Sequence, residues 1–137
     1  MARQLSDKEL AERYLQKIQS AGDRSIEWSL SFVTFKRLMH RKCCFYTGIP
    51  MTTFNGQARQ SDRTLDRIDA TLGYVEGNVV ACCQAANHLK SHWEGGNSII
   101  DLEMAHRITA KSVKHFQKRK PSSPEPQVRE ISLARIK

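Results

Sequence analysis

Apolar positions recur along this chain in two rhythms. The helical rhythm comes first, at Leu10, Tyr14, Leu15 and Ile18. Ser6 and Glu9 stand ahead of it at capping-box spacing. They predict a helix from Asp7 to about Gln19, ended by Ala21-Gly22-Asp23. Ser31 caps a second predicted helix, Phe32 to about Arg41. Phe35, Leu38 and Met39 face inward on it, and Arg37, His40, Arg41 and Lys42 face outward. Ile26 to Leu30 is ambiguous. Cys43 to Ile49 reads as a short strand into a turn at Thr47-Gly48. Met51 to Asp62, with Asn55-Gly56 inside it, reads as an exposed loop.

The strand rhythm appears at Thr64 to Ile68, whose alternation suits a half-buried strand. Gly73 and Gly77 punctuate the link to a β-branched run, Val79 to Cys83. From Gln84 the pattern turns helical again, with Ala85, Leu89 and Trp93 on one face. Glu94 to Asn97 breaks it. Ser98 starts a last helix with Ile99, Leu102, Ala105, Ile108, Val113 and Phe116 as expected core. Pro121 ends that helix, and PSSPEP is a stiff polar linker before a short tail. These elements predict an α+β fold in a single small domain. Residues 1–30 form a helical segment and residues 31–120 the main body, around a strand-loop-strand-helix finger at 64–93. Residues 121–137 form the linker and tail.

Composition narrows the partners. The chain has 137 residues, 39% of them apolar, and a net charge of +8. So basic a chain favours a polyanion, most often nucleic acid and less often an anionic membrane. No run has the roughly 18 apolar residues of a membrane span. Met1 to Glu12 is charged throughout and lacks a secretion signal, so an intracellular site is expected. The four cysteines form two adjacent pairs, Cys43-Cys44 and Cys82-Cys83, read as reduced thiols. Lys111, Lys114, Lys118, Arg119 and Lys120 crowd the end of the last helix. That exceeds what the helix macrodipole calls for, so they are candidate phosphate contacts, as is Arg63 beside the first strand.

The finger holds the candidate chemistry. Asp66 offers a carboxylate oxygen and Asn87 an amide oxygen, the hard ligands that Mg²⁺ or Mn²⁺ takes. Lys90 lies one turn after Asn87, where it could meet a phosphate. Asn78 precedes the second strand and could tie down the loop through backbone hydrogen bonds.

Taken together, Asp66-Arg67-Ile68, Gly77-Asn78-Val79-Val80 and Asn87-His88-Leu89-Lys90 resemble the HNH endonuclease family and its ββα-metal finger. The type is that of small phages and mobile elements, and the likeness spans Lys42 to Trp93. The resemblance implies a phosphodiesterase acting on DNA with one divalent ion. Asp66 and Asn87 would bind the metal, and Asn78 would orient the loop. A phage-encoded protein of the bacterial cytoplasm would fit.

Two departures stand out. Arg67 occupies the place where many members of that family carry a base histidine. A guanidinium stays protonated, so it serves as a phosphate clamp rather than a base. The base would be His88, His92, His40, Asp69 or a metal-bound water. Secondly, the two C-x-x-C pairs that hold zinc in many relatives are here Cys44 with Thr47 and Cys83 with Ala86. Two thiols do not complete a tetrahedral zinc site. No structural zinc is expected, with Cys44 and Cys83 packed as small apolar groups.

The leading expectation is therefore a Mg²⁺- or Mn²⁺-dependent DNA endonuclease with Asp66, Arg67, Asn78 and Asn87 in its catalytic site. A single finger has one cleavage centre, so cutting both strands takes a dimer or two events. The alternatives are a nucleic-acid-binding module without turnover and a small phage factor that binds a host protein.

Overall fold

Ser6 opens helix α1, Asp7–Asp23, by the reciprocal pair its spacing predicts. Its hydroxyl accepts from the Glu9 amide, and the Glu9 carboxylate accepts from the Ser6 amide, both at 3.2 Å. In this computed structural model, which describes residues 3–96 and 98–119, α1 runs a turn beyond Gln19. The reason is Ala21, fully buried, whose carbonyl accepts from the Ile26 amide at 2.8 Å. Leu15 was expected in the core but is 66% exposed. It lies five residues from buried Leu10, well off that residue's face at about 100° per residue.

Helix α2, Phe32–Met39, is capped by the Ser31 hydroxyl, which accepts from the Thr34 amide at 3.1 Å. Phe35, Leu38 and Met39 are buried as expected. Tyr14 of α1 is the hub between the two helices. Its ring meets Trp28, Phe32 and Phe35 edge-on at 5.2–5.7 Å, and its hydroxyl donates to the Leu30 carbonyl at 2.7 Å.

Strands β1 (Arg63–Arg67) and β2 (Val79–Cys83) form a two-stranded antiparallel sheet, with Asp66 opposite Val80 and Leu65 opposite Ala81. The expected half-burial of β1 is corrected: Arg63 to Asp66 are all buried. Successive strand side chains point to opposite faces, so both faces are covered. Helices α2 and α3 (Gln84–Glu94) both pack on the sheet. With α4 (Leu102–Arg119), the described residues form a small α+β domain of four helices and one two-stranded sheet.

The irregular segments are tied by hydrogen bonds. Ile26 to Leu30 forms one parallel bridge, Trp28 to Tyr74, flanked by Ser29 N–H to Tyr74 O at 2.9 Å and Tyr74 N–H to Glu27 O at 2.8 Å. Gly73 permits this approach, since a Cβ there would lie 2.6 Å from the Glu27 carbonyl oxygen. Cys43 to Ile49 is a turn closed by a bridge between Cys43 and Pro50 rather than a strand. The 51–62 segment is irregular but not wholly exposed: Met51, Thr53 and Asp62 are buried. Asp62 is held there by the Thr52 hydroxyl at 2.7 Å, the Arg59 amide at 2.8 Å and the Arg59 guanidinium at 3.1 Å.

The last two helices also depart from their apolar pattern. Leu89 on α3 is exposed, as are Ile99, Leu102, Ile108, Val113 and Phe116, whereas Ala105 is buried. Helix α4 packs chiefly against α3. Lys120, the 121–137 linker and the tail lie outside the described residues. Among the described residues no helix is long and apolar enough to cross a membrane.

All four cysteines are free, and only Cys43 is exposed. Burial, then the nearby Asp66 charge, pushes the Cys82 thiol up to about 12. A disulfide reagent is therefore expected to modify one thiol quickly in the native protein and four after denaturation. Two or more fast thiols in the folded chain would contradict this packing.

Candidate active site

Asp66 sits near the end of β1 with only 8% of its surface exposed. A buried carboxylate needs partners, and here they converge on one oxygen. Tyr46, from the turn after Cys44, donates its hydroxyl to Oδ2 at 2.6 Å, and the Lys90 ammonium lies 3.0 Å from the same atom. Oδ1 makes no hydrogen bond to the described residues. One oxygen of the pair is thus fixed and the other remains available as a hard ligand. Burial first, then the hydrogen bond to Asp66, raises the Tyr46 hydroxyl well above its ordinary value, so it stays a donor.

Lys90 is more internal than its sequence reading suggested. Besides Asp66, its ammonium donates to the Arg67 carbonyl at 3.0 Å and to Glu94 Oε2 at 2.7 Å. The ammonium thus makes two hydrogen bonds and an ion pair to Asp66, all within the protein. Its expected phosphate contact is corrected accordingly: in this arrangement Lys90 positions a carboxylate. Asn87 lies one turn earlier on α3, half-buried, and its amide makes no hydrogen bond to the described residues. Its oxygen, like Asp66 Oδ1, is uncommitted.

Arg67 is not brought to the Asp66 carboxylate. Its guanidinium donates to the Ala70 and Leu72 carbonyls at 2.9 and 3.0 Å and lies 5.5 Å from the centre of the Tyr74 ring. Strand alternation accounts for this, since neighbouring side chains leave opposite faces. The structure thus gives Arg67 a loop-bracing place instead of a phosphate clamp.

Asn78 ties down the same loop, as expected. Its Oδ1 accepts from the Asp69 amide at 2.9 Å, and its Nδ2 donates to the carbonyls of Asp69 and Gly73 at 3.1 and 3.0 Å. Asn78→Ala should leave three part-buried backbone groups without their partner and cost about 1–2 kcal/mol, with faster exchange of the Asp69 amide hydrogen. Urea unfolding and hydrogen exchange would read both effects. A change under about 0.5 kcal/mol would show that the loop holds itself.

Arg63 is corrected as a nucleic-acid contact. It is 9% exposed, and it donates to the Arg41 carbonyl at 2.7 Å and the Thr53 hydroxyl at 3.2 Å. Burial pulls its guanidinium below the ordinary value. Lys111, Lys114, Lys118 and Arg119 are exposed along α4. His88 and His92 stack edge-on at 5.1 Å on the exposed face of α3, two residues either side of Lys90 and so on the opposite side of the helix from it. Neither they nor His40 hydrogen-bond to Asp66. Asp69 is engaged with Thr71, whose hydroxyl and amide donors hold its carboxyl below the usual range.

Cys44 and Cys83 are buried side by side with Thr47. Burial raises the Cys44 thiol, but hydrogen bonds from Thr47 and nearby backbone amides outweigh it and leave the thiol below its usual value. Burial pushes Cys83 up. Among the described residues no group of three or more His, Cys, Asp or Glu side chains is placed to hold a metal. A cation here would rest on carboxylate, amide and water oxygens. Tyr46 and Glu94 escaped the sequence reading. Glu94 had a detectable signal, the four-residue spacing from Lys90 that lets a helical ion pair form. Tyr46 had none, because a turn twenty residues before Asp66 has no fixed relation to it in sequence.

No family model matches the chain, and no solved structure matches it. Among curated proteins it is similar to an uncharacterized 29.0 kDa protein from the dda-modA intergenic region of Enterobacteria phage T4, 32% identical over 83 residues. That stretch is 60% of this chain and 32% of the relative, so the match spans about a third of the phage protein's length. The chain is thus similar over more than half its length to part of a larger phage protein.

Proposed function

We propose that this chain is a divalent-metal-dependent DNA endonuclease of the HNH type. One observation supports this above the others: on a strand-strand-helix unit, a buried Asp66 has Oδ2 locked by Tyr46 and Lys90 while Oδ1 is left uncommitted. Asp66 Oδ1 and the Asn87 amide oxygen would hold one Mg²⁺ or Mn²⁺. Bound there, the ion would supply Lewis-acid chemistry toward a phosphate and its attacking water. Asn78 keeps the loop between the strands in one shape, and Arg67 braces it from within. The exposed cations of α4 and the net charge of +8 supply a surface for the phosphate backbone. The phage relative suits a small nuclease carried by a mobile genome.

The test is relaxation of supercoiled plasmid with Mg²⁺, with Mn²⁺ and with chelator. Cleavage that depends on the ion supports the proposal, and the absence of cleavage with either ion overturns it. A second reading, nucleic-acid binding without turnover, draws on the Lys90–Asp66 pair, which neutralises the carboxylate that the metal needs. Salt-sensitive DNA binding without cleavage would select it.

A further inference from the structure

The Lys90–Asp66 pair poses a chemical problem for any cation at Asp66, and its geometry contains a solution. Lys90 is held by three oxygens of different kinds: Asp66 Oδ2, Glu94 Oε2 and the Arg67 carbonyl. If Asp66 is taken away, two of the three acceptors remain. The closer of the two ion pairs is also one that remains, 2.7 Å to Glu94 against 3.0 Å to Asp66. Glu94 is four residues along the same helix and moves with Lys90. Asp66, for its part, would keep the hydrogen bond from Tyr46. Neither partner is orphaned when the pair opens, so the usual penalty for breaking a buried ion pair is largely avoided.

Resting on the metal-dependent reading above, we propose that Lys90 is an internal counter-cation. It neutralises Asp66 while no divalent ion is present and is handed to Glu94 when one arrives. The exchange is a regulation of the site. It keeps a buried carboxylate from standing unpaired, and it sets a threshold of ion concentration below which the site stays closed. Lys90 is a positioning residue in this scheme, and Glu94 is its second seat.

The test is Mn²⁺ binding, read from the electron paramagnetic resonance of free ion, with the full chain and no DNA. Replacing Lys90 by Gln removes a positive charge 3.0 Å from Oδ2 of the carboxylate that would hold the ion, so Lys90→Gln should bind Mn²⁺ about tenfold tighter or more. Glu94→Gln removes the second seat and should weaken binding several-fold. Asp66→Ala should abolish it. Equal or weaker binding in Lys90→Gln overturns the hand-off and leaves the metal site standing. Binding that survives Asp66→Ala, or no binding in any form of the protein, overturns both. Should Lys90→Gln fail to fold, the wild-type chain still gives an answer through the ¹H–¹⁵N signal of its buried ammonium. That signal should shift on saturation with diamagnetic Mg²⁺, and an unmoved signal at saturation refutes the exchange.

Discussion

Asp66→Ala is expected to reduce Mg²⁺-dependent plasmid relaxation by about a thousandfold or more. The figure follows from the several kcal/mol, roughly four, that a bound ion contributes to a phosphoryl transition state, at a factor of ten per 1.36 kcal/mol. Among the described residues, the change removes the one buried carboxylate whose second oxygen is uncommitted. It leaves Lys90 paired with Glu94 and the Tyr46 hydroxyl without its acceptor, so the fold should survive with a modest loss of stability. Asp66→Asn is the sharper variant. It keeps the shape and an acceptor for Tyr46 while removing the charge, and it should be nearly as inactive. Wild-type rates in Asp66→Asn, at equal folded protein, would remove Asp66 from the chemistry altogether.

Phe35→Ala is expected to be the most damaging single truncation in the core. Phe35 is fully buried, and its ring meets those of Tyr14, Trp28 and Phe32 at 5.2–6.5 Å. Emptying that position should cost about 3–5 kcal/mol, a fall in Tm of about 10–20 °C for a chain of this size. Phe45→Ala is the control. That ring is 61% exposed, and its loss should cost under about 1 kcal/mol. Urea unfolding followed by circular dichroism measures both. Equal losses would mean that the cluster around Tyr14 does not carry the core.

Some of this structure was legible because its causes are local. Ser6 with Glu9, Ser31 before Phe32, and the β-branched run Val79 to Cys83 each act through neighbours in sequence, and each begins where its pattern predicts. Asn78 was legible for the same reason, since it bonds a loop that begins nine residues away. What failed was whatever depends on a distant partner. Leu89, Ile108 and Val113 have helical spacing, but spacing does not supply a neighbour to cover them. Arg63 and Lys90 read as surface cations, because nothing near them in sequence announces the Arg41 carbonyl or the Asp66 carboxylate that takes them inside. Arg67 was placed by analogy with a histidine, while its own length lets it reach back to the Ala70 and Leu72 carbonyls.

The bridge between Trp28 and Tyr74, with Gly73 pressed on Glu27, has a consequence for synthesis on the ribosome. When α1 and α2 have left the exit tunnel, the strip that should seat Trp28 and Ser29 has yet to emerge from it. Until Tyr74 emerges, the aromatic side of those helices faces water or a chaperone. The nascent N-terminal half therefore waits unfinished, and its closure is timed by the loop that also shapes the Asp66 site.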